Sequence, residues 1–167
     1  MVKFMLMITA KLENLTNLQP LGGCDDPSFP YYFKMKCYEC GELSEKETCV
    51  SLDVTVPTPN LRGTTNLVQK CKLCGRVGTV QLIPGRGRPL TNVTSLFEEY
   101  TSLMLFDCNG LEPVGFVFGN GWKAESTDGT KFYCIDLSRG EYSNYDDDGQ
   151  FPVKKVLNPR ANFVVVN

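Results

Sequence analysis

Val2-Lys3-Phe4-Met5-Leu6-Met7-Ile8-Thr9-Ala10-Lys11-Leu12-Glu13 alternates. Val2, Phe4, Leu6, Ile8, Ala10 and Leu12 fall on one face; Lys3, Met5, Met7, Thr9, Lys11 and Glu13 fall on the other. A period of two places successive side chains on opposite faces of a pleated strand, so the stretch predicts a β-strand with one buried face. A secretion signal is a poorer reading, because Lys11 and Glu13 cut the apolar run short and no small-residue cleavage site follows. Nor does any run approach the ~18 apolar residues of a membrane-spanning helix.

The same β-rich character continues along the chain. Val50, Leu52, Val54 and Val56 alternate with Ser51, Asp53 and Thr55 up to the Pro57–Pro59 break. Val77–Ile83 runs to Pro84-Gly85, and Glu99–Cys108 and Val114–Phe118 read as a pair about the turn dipeptide Asn109-Gly110. Phe132–Leu137 and Phe163–Val166 add two more strands. No segment holds a 3.6-residue apolar period over three turns, and the β-branched and aromatic content of Leu96–Leu105 favours strand there too. The expected fold is all-β, sandwich-like or built of coiled sheets. Between the strands, Pro20–Pro30 reads as an irregular connection and Pro84–Pro89 as a flexible basic loop near the midpoint. Asp146–Gly149 reads as a solvated acidic turn, because its glycine comes too early for an EF-hand loop and no closing glutamate follows.

Chemistry enters with two copies of Cys-x-x-Cys-Gly: Cys37, Cys40 and Gly41, then Cys71, Cys74 and Gly75. One copy is ambiguous, but two with the same glycine point to four thiolates around one tetrahedral zinc. Two intervening residues let a tight turn aim both sulfurs at one ion, and the glycine can take the positive φ that closes the turn. The chain has no histidine, so an imidazole cannot complete the shell. Four cysteines fill the coordination sphere, which makes the metal structural; a catalytic zinc keeps a position open. The 30 residues from Gly41 to Lys70 exceed a compact zinc ribbon and leave room for a hairpin turning through Pro57–Gly63. Lys36, Lys70 and Lys72 flank the cysteines, where they are expected either to lower the thiol pKa values or to be plain surface lysines. Dithiol redox chemistry is the competing use, but no helix pattern of the thioredoxin kind follows Cys40 or Cys74. Of the other four cysteines, Cys108 and Cys134 read as small buried hydrophobes within strands. Without a secretion signal, disulfides are not the expected use of the eight.

Composition narrows the partners. The 167 residues carry 17 basic and 19 acidic side chains, a net charge of −2, with 42% apolar residues. Arg62, Arg76, Arg86 and Arg88, with Tyr31, Tyr32 and Phe33 nearby, are the only features that favour nucleic acid, and no dense basic stripe accompanies them. Gly119-Asn120-Gly121-Trp122-Lys123 lacks P-loop spacing, and the sequons at Asn14 and Asn92 have no use without secretion.

A diluted repeat is also visible. Ile8–Leu18 matches Met104–Val114, with Asn14-Leu15 against Gly110-Leu111, and Lys34-Met35-Lys36-Cys37 resembles Lys131-Phe132-Tyr133-Cys134. Taken together, Met35-Lys36-Cys37-x-x-Cys40-Gly41-Glu42, Gln69-Lys70-Cys71-Lys72-x-Cys74 and Cys108-x-Gly110-Leu111-Glu112-Pro113-Val114-x-Phe116 resemble the eukaryotic CXXC motif-containing zinc-binding proteins. Leu12–Leu18, Asp136-Leu137 and Tyr145-Asp146 fit the same pattern, whereas Gly22–Pro30 and Pro84–Thr94 are longer and Cys24 and Cys49 look like additions. The resemblance implies an all-β protein of two related halves with one zinc held by Cys37, Cys40, Cys71 and Cys74, and no established enzymatic activity. The expectation is one compact domain with halves at 1–85, bearing the zinc, and 95–167, without it. It is a monomeric, cytoplasmic or nuclear, non-enzymatic zinc protein that binds another protein, not a membrane or nucleic acid. Metal handling or thiol switching is the first alternative, and ribbon-type nucleic-acid binding the second.

Overall fold

A computed structural model describes residues 1–59, 62–145 and 153–166; the acidic turn Asp146–Gly149 and the tip of the Pro57–Gly63 turn lie outside them. The alternating N-terminus forms β1 (Val2–Glu13), and a single residue, Asn14, links it to β2 (Leu15–Pro20). Then come β3 (Tyr31–Cys37), β4 (Thr48–Val50), the two-residue strands β5 (Val56–Pro57) and β6 (Thr64–Thr65), β7 (Leu67–Lys70) and β8 (Val77–Ile83). After the short helix α1 (Asn92–Leu96) follow β9 (Thr101–Asn109), β10 (Leu111–Val117), β11 (Trp122–Ser126), β12 (Lys131–Ile135), β13 (Glu141–Asn144) and β14 (Lys154–Val166).

The largest sheet runs β13-β14-β1-β9-β8-β7, and two three-stranded sheets run β10-β3-β4 and β12-β11-β2. These orders read the same when β1, β2, β3, β4, β7 and β8 are exchanged for β9, β10, β11, β12, β13 and β14. Two related halves are therefore built into one fold, and they are interleaved. The last strand of each pairs with the first strand of the other, β8 with β9 and β14 with β1. The exchange sets β3 against β11, so Cys37 corresponds to Ser126, not to Cys134 as the short sequence match would have it.

The hairpin expected about Asn109-Gly110 is absent for a physical reason, and Asn14 behaves alike. Each link is one residue with positive φ, 57° at Asn14 and 79° at Gly110. A two-residue turn would fold the strand back on itself. A single positive-φ residue instead bends the chain into another sheet, where β2 pairs with β11 and β10 with β3.

Other expectations shift locally. Val50–Val56 is not one strand: the Ser51 hydroxyl donates to Asp53 Oδ1 (2.7 Å) and the Asp53 N–H to the Pro27 carbonyl (2.9 Å), ending β4 early. The Pro84–Pro89 loop is pinned along β9, with Arg88 N–H on Ser102 O (2.9 Å) and Ser102 Oγ on Arg86 O (2.7 Å). β1 is covered on both faces at its centre, where Met5 and Thr9 are buried beside Leu6 and Ile8. α1 lies against it, and Ser95 Oγ both donates to Ala10 O (2.7 Å) and accepts from Leu12 N–H (2.9 Å). Cys108 is buried as expected, but Cys134 is exposed, at a φ of 61° that breaks the alternation of β12.

The core joins the halves. Phe106 of β9 meets Tyr31 and Phe33 of β3 and Phe163 of β14 edge-on, at 5.2–5.8 Å between centroids. Phe29 bridges Tyr31 to Trp122, whose indole N–H donates to Phe118 O (2.8 Å). Edge-to-face aromatic pairs add directional preference to the area they bury.

Candidate metal centre

Each Cys-x-x-Cys-Gly begins where a strand ends. Cys37 is the last residue of β3, and Cys71 follows directly on β7. The two turns are built alike. Gly41 N–H donates to Cys37 O (2.9 Å) and Gly75 N–H to Cys71 O (3.0 Å); Cys37 N–H donates to Glu42 O (2.9 Å) and Cys71 N–H to Arg76 O (2.8 Å). Gly41 and Gly75 sit at φ values of 78° and 79°, a conformation that costs an L-residue with a Cβ about 1–2 kcal/mol. The glycine after each second cysteine is thus explained by backbone geometry.

These two knuckles bring the four sulfurs within 4.8 Å of one another, with Cys37 Sγ 3.6 Å from Cys74 Sγ and Cys40 Sγ 3.7 Å from Cys71 Sγ. Tetrahedral zinc with Zn–S bonds of about 2.3 Å separates its sulfurs by about 3.8 Å, so the donor set fits the ion in chemistry and in size. Among the described residues this is the one such cluster of potential ligands. The electrostatics of the four thiols agree with the fit. Cys37 is pushed down to about 7, chiefly by the Cys40 N–H, and Cys71 is lowered chiefly by the Cys74 N–H. Cys40 and Cys74 receive N–H groups from Glu42 and Arg76, yet partial desolvation and the neighbouring thiols hold both above the usual thiol range. Four thiolates this close cannot all ionise unless a cation sits among them. The leading cause of the lowered pair is backbone N–H donation, not the expected charges of Lys36, Lys70 and Lys72. Of these lysines, Lys70 lies over the second knuckle, its Cε 3.5 Å from where a Cβ on Gly75 would stand.

Further ties brace the knuckles and the strands beside them. Tyr38 N–H donates to Gly110 O (3.1 Å), Thr48 Oγ1 to Gln69 Oε1 (2.9 Å), and the Arg76 guanidinium pairs with Glu39. Arg76 is also within electrostatic reach of the Cys37 and Cys74 sulfurs. Glu39 was not singled out from the sequence, Gly110 was read only as a turn and repeat position, and Arg76 was noted only as a nucleic-acid candidate. The signal was their position, Glu39 inside the first Cys-x-x-Cys and Arg76 directly after the second glycine. The remaining cysteines stay outside the cluster: Cys24 packs against Gly87, Cys49 pairs with Tyr32 across β3–β4, Cys108 is in the core and Cys134 on the surface.

The family model for the eukaryotic CXXC motif-containing zinc-binding protein matches residues 5–163. This chain belongs to that family. A human member named CXXC motif containing zinc binding protein is 37% identical over 151 residues, covering 90% of this chain and 91% of that protein. A Caenorhabditis elegans relative, UPF0587 protein F46B6.12, is 36% identical over 143 residues, covering 85% of this chain and 83% of the relative. The crystal structure of C1orf123 superposes with a TM-score of 0.84 at 34% identity, covering 98% of this chain and 99% of that one. A hypothetical protein from Plasmodium falciparum shares the fold, with a TM-score of 0.80 at 20% identity over the same shares. In this CXXC zinc-binding protein the family's metal meets one four-cysteine cluster, which would hold a single structural zinc through Cys37, Cys40, Cys71 and Cys74. Bound there, zinc supplies cross-linking and no open coordination position.

Proposed function

We propose that the chain is a zinc-stabilised interaction module without catalytic activity, and that the knuckle end is its binding face. The observation that carries this reading is the exposure of large apolar side chains around a closed metal shell. Tyr38 and Leu73 sit between the cysteines of the two knuckles and are 67% and 68% exposed; Leu43 and Val77 beside them are 49% and 45% exposed. Soluble proteins rarely cluster apolar side chains on the surface without a use, and protein contact is the commonest one. A groove of about 400 Å³ runs beside the cysteines, between Leu43 and Thr48 on one wall and Gln69 and Lys70 on the other. Four cysteine ligands leave zinc no site for a substrate, and the chain has no histidine to serve as a base.

The test compares the zinc-loaded protein with a Tyr38→Ala/Leu73→Ala variant in affinity capture from its own cells. The reading expects one zinc per chain in both and partners lost only from the variant. An identical partner set would overturn it. Metal handling or thiol switching is favoured by one observation, the exposure of Cys40 and Cys74. It expects zinc to leave on mild peroxide treatment, and zinc retained through peroxide and a competing chelator speaks against it. Nucleic-acid binding has less support, since Tyr31 and Phe33 are fully buried and Tyr32 is the one exposed ring of the three.

A further inference from the structure

The knuckles belong to different sheets. Cys37 ends a strand of the β10-β3-β4 sheet, while Cys71 and Cys74 lie between β7 and β8 at the edge of the six-stranded sheet. For zinc to leave, its bonds to sulfurs on both turns must break, and whatever bridges the turns holds those sulfurs together. The Arg76–Glu39 ion pair is such a bridge, because Glu39 lies between the cysteines of the first knuckle and Arg76 ends the second. Arg76 is fixed from behind as well: its carbonyl accepts from Cys71 N–H, so its backbone is part of the knuckle. Its side chain passes over Gly110, where a Cβ would stand 3.1 Å from Arg76 Nε and 3.1 Å from Val77 O. The bare glycine opens that path, and Gly110 O also accepts the Tyr38 N–H from the first knuckle.

We propose that Arg76 and Glu39 form a latch across the metal centre that sets how fast zinc leaves it. A four-thiolate zinc carries a net charge of about −2. A guanidinium beside it offsets part of that charge while its carboxylate partner keeps it in place. Exposed ion pairs add little to global stability, so the latch acts on metal release rather than on folding. Groups outside the ligand shell commonly change metal affinity by about 10–100-fold. Arg76 is therefore a positioning residue for the metal centre. The inference does not depend on the interaction reading above.

Zinc release from the full chain into excess EDTA, followed with a chromogenic zinc indicator, tests the latch. Arg76→Gln should release zinc at least about tenfold faster than the unmodified protein, in line with other outer-shell losses. Arg76→Lys should recover part of the difference by restoring the charge. Glu39→Gln should fall between the unmodified protein and Arg76→Gln, and the double variant should be no faster than Arg76→Gln alone. Raising the salt concentration should accelerate release from the unmodified protein and leave Arg76→Gln nearly unchanged. If Arg76→Gln fails to fold, Glu39→Gln carries the test. An unmodified rate in Arg76→Gln, or in Glu39→Gln where it stands alone, would overturn the latch, as would additive effects of the two substitutions.

Discussion

The first knuckle and the Ser126–Thr130 turn occupy matching places in the two halves, and they close by different chemistry. In the first half, Gly41 N–H bonds to Cys37 O (2.9 Å) and Tyr38 N–H to Gly110 O (3.1 Å). In the second, Gly129 N–H bonds to Ser126 O (2.9 Å) and Thr127 N–H to Asn14 O (3.3 Å), a matching pattern in the other half. What differs is the closure. Cys37 and Cys40 hand their sulfurs to a shared cluster, whereas Ser126 donates its hydroxyl to Asp128 and accepts from Thr130 N–H (3.1 Å). A serine, an aspartate and one residue fewer do locally what zinc does across two sheets. The metal is therefore needed where the turn must reach another turn, and dispensable where it need only close on itself.

Phe106→Ala should cost the most, about 3–5 kcal/mol, because the ring is fully buried among Tyr31, Phe33 and Phe163 from both halves. Chemical unfolding should show one cooperative transition moved as a whole; a transition that splits by halves would mean they do not share the core. Next comes Cys71→Ser. Apparent binding energies of structural zinc reach about 10–16 kcal/mol, so losing a ligand should abolish stoichiometric zinc in native mass spectrometry and loosen the first-half knuckles. Zinc still bound one per chain would contradict the four-ligand centre. Ser126→Ala should cost only about 1 kcal/mol, the net worth of a hydrogen bond, and leave zinc content unchanged. A loss of zinc in that variant would erase the distinction between the two closures.

The smallest effect is a pH dependence. The Ser126 hydroxyl and then the Thr130 N–H hold the Asp128 carboxyl below its usual value. A depressed native pKa stabilises the fold above the unfolded carboxylate value of about 3.9, and the contribution is lost as pH falls through the native value. Thiolates lose zinc to protons at higher pH than this. Acidification followed by NMR should therefore release zinc first and shift the Thr130 amide later. The reverse order would count against the assignment of closures.

Much of this contrast could be read in the sequence, and the unread part has physical causes. β8 was visible at its true ends, and the four cysteines were visible because metal geometry forces a fixed spacing. The kinship of Asn14 with Gly110 was visible because both must take positive φ. The partner of Cys37 in the repeat was misplaced because strand pairing, not residue similarity, defines equivalence. α1 escaped notice because five residues, capped by Thr91, are too few to show a helical period. β14 was seen only from Phe163 onwards, since Pro159 and the register shift opposite Thr9–Lys11 interrupt its pattern. The Arg76–Glu39 pair left no periodic trace, as exposed charges seldom do.

Hydrogen exchange measured by mass spectrometry, with zinc bound and after removal by a chelator, distinguishes the two closures residue by residue. Zinc as a clasp between two first-half turns predicts that removal strips protection from the backbone around Cys37–Ser44 and Lys70–Val77. It should leave the Trp122–Ile135 segment, with its hydrogen-bonded turn, as protected as before. Equal loss of protection in both regions, or none in either, would contradict it.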